Sequence, residues 1–345
     1  MSKEKDLRVL RLIEKYLPPD FDWQYYLDAN PDLVAANIIT QYGSEKHYVT
    51  YGIREKRKYN DGLAYLNIKN PSLNKTITNY FLDKELDYVN FGGFLISCAN
   101  LAQMCIKYKW KFYVNYSQSI ICDYMQNSEH IGCHKNKTSK NIIDFDNLTQ
   151  QMPDFQSKKT LLQDIILIGN DSLDIATSFS TLDITIRYRI PKIKLCKQTT
   201  KLLKEIIPFG KKINNKFSKF QLWCNNYNVL FASKEITKKQ PEMVIDSIIR
   251  AYNKNPGKLL IITEDHLFYR SFREEFNGMR SKNKGNIIYL NQLMNPNYDA
   301  FVLGLLLDVK IMTQCKKIYY FSEDLESCGI PIFMSSVYDK ELINL

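Results

Sequence analysis

Residues 88–115 read YVNFGGFLISCANLAQMCIKYKWKFYVN, and this stretch decides the fold class. Its opening, with the residues just before it, predicts a strand over Leu86–Asn90. A glycine pair follows, Gly92 and Gly93, and then an apolar helical period over Phe94–Tyr108. Lys111–Val114 is a second short extended run. A strand, a helix and a strand in succession form the unit from which parallel sheets are built, because parallel neighbours need a crossover between them. Further along, Ile165–Ile168, Asn228–Ala232, Leu259–Thr263, Asn286–Leu290 and Lys317–Phe321 read as strands. Helical periods fill Thr200–Ile207, Pro241–Asn253, His266–Phe276 and Tyr298–Gln314. The expectation is an α/β protein, with the irregular stretch from Asn170 to Phe220 holding the join between two such sheets.

At 345 residues the chain exceeds what one core usually supports. We divide it into a small all-α module at 1–60, a second domain at 61–215 that includes a connector, and a third at 216–345. A hydrophobic content of 45% with 24% charged residues excludes a disordered chain. The formal charge of +10 attracts anions, yet Lys and Arg are scattered with only short clusters such as 54–58 and 234–239, so nucleic acid is disfavoured as a partner. Met1–Tyr16 alternates charge with Leu and Ile at helical spacing, unlike a secretory signal. No membrane span is expected, since the best apolar candidate, Ala300–Met312, is short and contains Asp308. The eight cysteines include no CxxC pair and predict buried thiols in a reducing, cytoplasmic compartment. His130, Cys133 and His134 lie close together but match no common zinc spacing.

The first module is dense in aromatics. Trp23, Tyr26, Leu33, His47, Tyr48 and Tyr51 recur where a miniature core needs bulky side chains. The string FDWQYYLDANPDLVAANI and the later HYVTYGIREKRKY resemble a short module of bacterial surface proteins and of glycosyltransferases from bacteria and giant viruses. Tyr26, Leu27, Asn30, Pro31, Asp32, Leu33, His47, Tyr48, Tyr51, Gly52, Glu55 and Arg57 match its pattern, while Lys56 stands where a glycine is usual. This resemblance implies an accessory module and no chemistry of its own.

In the larger part, residues 88–115, the run NVLFASKEI, the run LLIITED and the late segment YDAFVLGLLLDVKIMTQCKKIYYFS are similar to segments of the fucosyltransferase-like glycosyltransferases. The scattered matches span about Asp87 to Pro331. What the resemblance implies is a GT-B type pair of Rossmann-like domains, 61–215 for the acceptor and 216–345 for the donor. It further implies a nucleotide-sugar donor, GDP-fucose first, and inverting transfer to a hydroxyl of a glycan or glycoprotein with no metal or other cofactor required. Ligands of open parallel sheets bind at the carboxyl ends of strands, so the donor-binding candidates are Gly92, Gly93, Ser233, Lys234, Glu264, Tyr298, Ser322 and Glu323. Glu235, Asp265 and Asp299 are the candidate catalytic carboxylates, each of which would otherwise be solvated polar surface at a loop.

One departure bears on activity. The family usually carries His-x-Arg-Arg after the strand corresponding to Asn228–Ala232, and this chain has Ser233-Lys234 there. Lysine holds a diphosphate as a point charge and cannot reproduce the guanidinium fork, a loss worth on the order of 10² or more in rate. A catalytically degenerate descendant that binds carbohydrate or protein is the alternative. Asp144-Phe145-Asp146 offers a second transferase reading, in which carboxylates on alternate strand positions hold a divalent metal. It ranks below the metal-independent one because it lies outside the donor half. His266 reads as a surface group at a helix start.

Overall fold

A computed structural model describes residues 9–59, 74–178, 195–272, 287–289, 298–321 and 329–344, less 14, 19–20, 22, 58, 83–85, 127–130, 133–141, 153–154, 170, 224–225, 233, 255–257, 264, 266–267 and 269. The chain forms two compact units, Met1–Ala64 and Tyr65–Leu345.

In the first unit α1 (Trp23–Ala29), α2 (Pro31–Ala35) and α3 (Gln41–His47) lead into a π-helical turn, Tyr48–Gly52. Pro31 opens α2, where its missing N–H costs nothing, and Thr40 caps α3 by accepting the Gly43 N–H. Tyr26, Leu27, Leu33 and Tyr48 form the core, with Phe21, Trp23 and Tyr59 packed against it. Tyr51 was expected there too; it is 52% exposed, its ring beside that of His47. The residues of the sequence pattern meet each other. Tyr26 Oη lies 2.9 Å from His47 Nδ1, Arg57 donates to Asp32 at 2.8 Å, and Gly52 leaves room for the Tyr26 hydroxyl, which any Cβ at that position would strike. The pattern therefore encodes a miniature fold.

The second unit runs β1 (Thr76–Tyr80), α4 (Tyr88–Tyr108), β2 (Lys111–Asn115), a 3₁₀ turn (Ile120–Tyr124), β3 (Ile131–Gly132), β4 (Ile143–Asp144), α5 (Phe145–Leu148), α6 (Phe155–Ile168) and β5 (Ser172–Ala176). Then come α7 (Lys197–Glu205), α8 (Lys211–Trp223), β6 (Tyr227–Ala232), α9 (Lys234–Lys239), α10 (Pro241–Lys254), β7 (Lys258–Thr263), β8 (Ile287–Tyr289), α11 (Tyr298–Gln314), β9 (Lys317–Phe321), α12 (Gly329–Tyr338) and β10 (Glu341–Asn344). Among the described residues these strands make two five-stranded sheets, ordered β3-β2-β1-β5-β4 and β10-β9-β6-β7-β8. Every neighbouring pair is parallel. The fold class is thus α/β, with two Rossmann-like parallel sheets. Buried on both faces, β6 and β9 are almost continuously apolar, as central parallel strands must be.

Two expected strands are helix. Leu86–Asn90 lies at the start of α4, because Asp87 accepts the Asn90 N–H and caps a helix that then runs unbroken for 21 residues; the strand that precedes it is β1, within the supposed connector. Ile165–Ile168 is the last turn of α6, where Leu162 and Ile166 are buried four residues apart. The strand that follows is β5. The expectation about apolar segments also changes, since α4 is long and apolar enough to cross a membrane by length and composition. In this unit it is a core helix, buried almost throughout from Phe94 to Cys105 and packed against β1, β2, α7 and α12.

Candidate functional site

The order of each sheet reverses direction beside its first strand, between β1 and β5 and between β6 and β9. At such a switch point the connections diverge and leave a crevice at the carboxyl ends of the strands. In the second sheet Ala232 of β6 is the register partner of Thr263 of β7 on one side and Phe321 of β9 on the other. Of the predicted site positions, Lys234 and Glu235 come soon after β6 and Asp265 soon after β7. Lys234 and Glu235 begin α9, and Tyr298 and Asp299 begin α11, whose chain leads into β9. Ser233, Glu264, Ser322, Glu323 and His266 lie outside the described residues, as do His130, Cys133 and His134.

Asp265 follows β7 and is 7% exposed. One carboxylate oxygen accepts the Thr237 hydroxyl of α9 at 2.8 Å, and the other accepts the Phe268 N–H at 3.1 Å. The Asp265 N–H in turn donates to Thr263 Oγ1. Asp265 thereby ties the segments after β6 and β7 together and caps the turn that contains Phe268. Arg250 and Arg270 are exposed, and Arg250 Nε donates to the Asp246 carbonyl of its own helix. Arg187 and Arg189 lie outside the described residues.

At the switch point of the first sheet sits a polar network that the sequence reading missed. Asn79 of β1 is fully buried. Its amide nitrogen donates to Ser97 Oγ at 3.0 Å and to the Thr177 carbonyl at 3.3 Å, and its oxygen accepts the Thr177 N–H. Just beyond β5, the Asp146 carboxylate accepts the Thr177 hydroxyl at 3.2 Å and the Ser178 N–H at 2.8 Å. Burial raises the Asp146 carboxyl above the usual carboxylate range, with the Ser178 and Thr177 hydrogen bonds opposing it. Asp144 caps α5 by accepting the Asn147 N–H. The two aspartates therefore do not alternate along one strand, since Asp144 ends β4 and Asp146 lies on α5. An Asn inside a five-residue strand rich in Thr is the one sequence signal that could have pointed here, and it reads as connector until β1 and β5 are seen side by side.

Gly92 and Gly93 are not in a turn but in the first turns of α4. A Cβ on Gly92 would lie 2.9 Å from the Ile330 nitrogen and 3.0 Å from Gly329 Cα, so Gly92 lets α4 and α12 approach backbone to backbone. A Cβ on Gly93 would lie 3.2 Å from that of Ser178, just past the end of β5. Helix α4 follows β1 and α12 follows β9, so the two meeting N-termini belong to the carboxyl edges of the two sheets. Beside them the Tyr88 hydroxyl donates to Asp308 of α11, and the Tyr88 ring centroid is 5.7 Å from that of Phe231 on β6. The fully buried Asp308 carboxyl is pushed up to about 7 by desolvation, with the Tyr88 hydrogen bond opposing it. Among the described residues no group of three His, Cys, Asp or Glu is arranged to hold a metal ion.

No protein-family model matches the chain, and no curated protein matches it in sequence. Among solved structures it is similar to the NodZ α-1,6-fucosyltransferase soaked with GDP-fucose, at 10% identity and a TM-score of 0.48 over 75% of this chain and 92% of that one. The fucosyltransferase NodZ from Bradyrhizobium gives a TM-score of 0.46 at 10% identity, over 75% and 92% of the two chains. POFUT1 in complex with GDP gives 0.40 at 8% identity, over 79% of this chain and 99% of that one. At these identities and TM-scores the fold rests on the parallel sheets and their strand order.

Proposed function

We propose that this chain is a fucosyltransferase-like glycosyltransferase that carries a sugar from a nucleotide-sugar donor to a hydroxyl of a glycan or glycoprotein. The observation that carries the reading is the pairing of two parallel sheets, each with a switch point, whose edge helices α4 and α12 touch at Gly92 and Gly329. The sequence segments quoted above supply the sugar-transfer class. GDP-fucose is the donor to try first, bound in the half from residue 216 onward, with 61–215 facing the acceptor. In the step itself the acceptor oxygen forms a bond to the anomeric carbon as the bond to the diphosphate breaks. The configuration inverts, the nucleoside diphosphate leaves and the hydroxyl proton passes to a carboxylate. Since Thr237 and Phe268 already engage Asp265, Glu235 and Asp299 are the first bases to replace. Lys234, the first residue of α9, is the single cation we assign to offset charge on the leaving diphosphate.

The test is the melting temperature of the full chain with GDP, UDP, CDP and their sugars, with manganese or with EDTA. A ligand that binds only the folded state raises it. The expected result is a shift with one nucleotide and its sugar, unchanged by EDTA, and nucleotide release that falls on the order of 10²-fold in Glu235→Gln or Asp299→Asn while the donor shift persists. An EDTA effect would return attention to Asp144 and Asp146. The Ser233-Lys234 sequence favours a second reading, a non-catalytic binder of carbohydrate or protein. No shift with any nucleotide at millimolar concentration would select it.

A further inference from the structure

The opposite edge of the second sheet holds a feature that donor chemistry does not use. Helix α11 leads into β9 and α12 into β10, so the C-terminal turns of these helices lie at the amino ends of the strands. There, with the end of α7 and the start of α8, they line an open pocket of about 280 Å³ bounded by Lys204, Phe209, Asn214, Lys310, Thr313 and Tyr338 among others. At ~30 Å³ per water that is room for a small polyatomic ion with part of its hydration shell.

Two lysines line this space, and Lys204 is exposed. Lys310 lies on α11 and is half-buried. Its Nζ sits 4.8 Å from the Phe209 ring centroid and 5.6 Å from that of Phe217. Lys204 is in the last turn of α7, with its Nζ 5.8 Å from the Tyr338 ring centroid. Among the described residues no carboxylate pairs with either lysine, although Lys317 has one such partner and Arg57 two. Burial alone lowers the affinity of Lys310 for its proton, with no acidic neighbour opposing it. Aromatic faces and the carbonyl ends of α11 and α12 offset part of this charge, the latter by about half a charge each at most. The Thr313 hydroxyl and the Asn214 amide add neutral polar groups, although the first already donates to the Lys310 carbonyl and the second to that of Phe209.

We propose that this pocket is a binding site for a phosphate-class oxyanion, held between Lys204 and Lys310. The ion is either free phosphate or the terminal phosphate of a larger molecule. The assignment does not depend on the transferase reading, because it uses none of the residues at the strand carboxyl ends.

The full chain is titrated with inorganic phosphate, and separately with glycerol phosphate, at constant ionic strength set with chloride, while its melting temperature is followed. A saturable rise is expected with phosphate; the same rise with glycerol phosphate identifies a terminal phosphate as the ligand group, and its absence identifies the free ion. Lys310→Met should weaken the response at least about tenfold and Lys204→Gln several-fold, while Lys310→Arg retains it. Without phosphate, Lys310→Met should melt no lower than the parent chain, which a merely structural lysine would not allow. Should Lys310→Met fail to fold, Lys204→Gln and Lys310→Arg carry the test. A response that chloride reproduces, or one unchanged in Lys204→Gln and Lys310→Met, overturns the proposal, as does the absence of any saturable shift.

Discussion

Lys56 has a left-handed backbone, φ 53°. The Arg57 N–H reaches back to the Gly52 carbonyl and the Lys56 N–H to that of Ile53, a Schellman closure whose left-handed position favours glycine. The usual glycine of the sequence pattern is thus a backbone requirement, and lysine satisfies it at a cost. Lys56→Gly should raise the stability of the first unit by about 0.5–1 kcal/mol, read as a higher denaturant midpoint with an unchanged slope. Legibility at single residues was uneven. Asp265 was correctly placed after a strand, but the partners that engage its oxygens, Thr237 and Phe268, lie on separate segments. Asn79 offered little, since its only local signature is a polar residue in a short run; burial between Ser97 and Thr177 is what gives it meaning.

Helix ends were harder to read than helix bodies, and for the same backbone reason. The left-handed residues closing α2, α4 and α12 are Asn37, Lys109 and Asp339, so a search for glycine stop signals passes over all three. Starts suffered as well. The cap from Asp87 to Asn90 was hidden because Leu86–Asn90 is apolar enough to pass for a strand. The bodies of α4, α10 and α11 and the strands β2, β6, β7 and β9 were legible because an apolar period needs no partner to be recognised. Packing between elements turns on the glycines. A Cβ on Gly329 would sit 2.5 Å from the Gly92 carbonyl carbon and 2.8 Å from its Cα, backbone atoms that cannot swing aside. Gly329→Ala should therefore cost about 3 kcal/mol. Gly93→Ala meets Ser178 Cβ at 3.2 Å and its carbonyl oxygen at 3.3 Å, tight but short of an outright clash, and should cost about 1 kcal/mol; paired urea titrations compare the two.

The second unit is held across its two sheets by contacts far apart in the chain, and one of them is titratable. Tyr88 of α4 donates to Asp308 of α11, whose other carboxylate oxygen is buried with no hydrogen-bond partner among the described residues. Because the folded Asp308 carboxyl sits near 7 against 3.8 in the open chain, the folded state holds the proton more tightly. Its stabilisation is complete below about pH 3.8, is lost as pH rises to about 7 and is level above that, at up to about 1.4 kcal/mol per pH unit. In Asp308→Asn that slope is absent. The melting temperature of the variant minus that of the parent should climb from pH 5 to 7 and then plateau; a constant difference across this range would show that Asp308 does not titrate there. The amino-acid sequence by itself determined the α/β class, part of the element order and the self-contained aromatic core of the first unit, because apolar periodicity and turn chemistry act over a few residues. Only the tertiary structure decided which strands are neighbours, where each sheet reverses, and that Gly92, Tyr88 and Asn79 meet Gly329, Asp308 and Thr177. Those partners lie some 98 to 237 positions away, and no local period specifies the partner of a contact closed over such a length of chain.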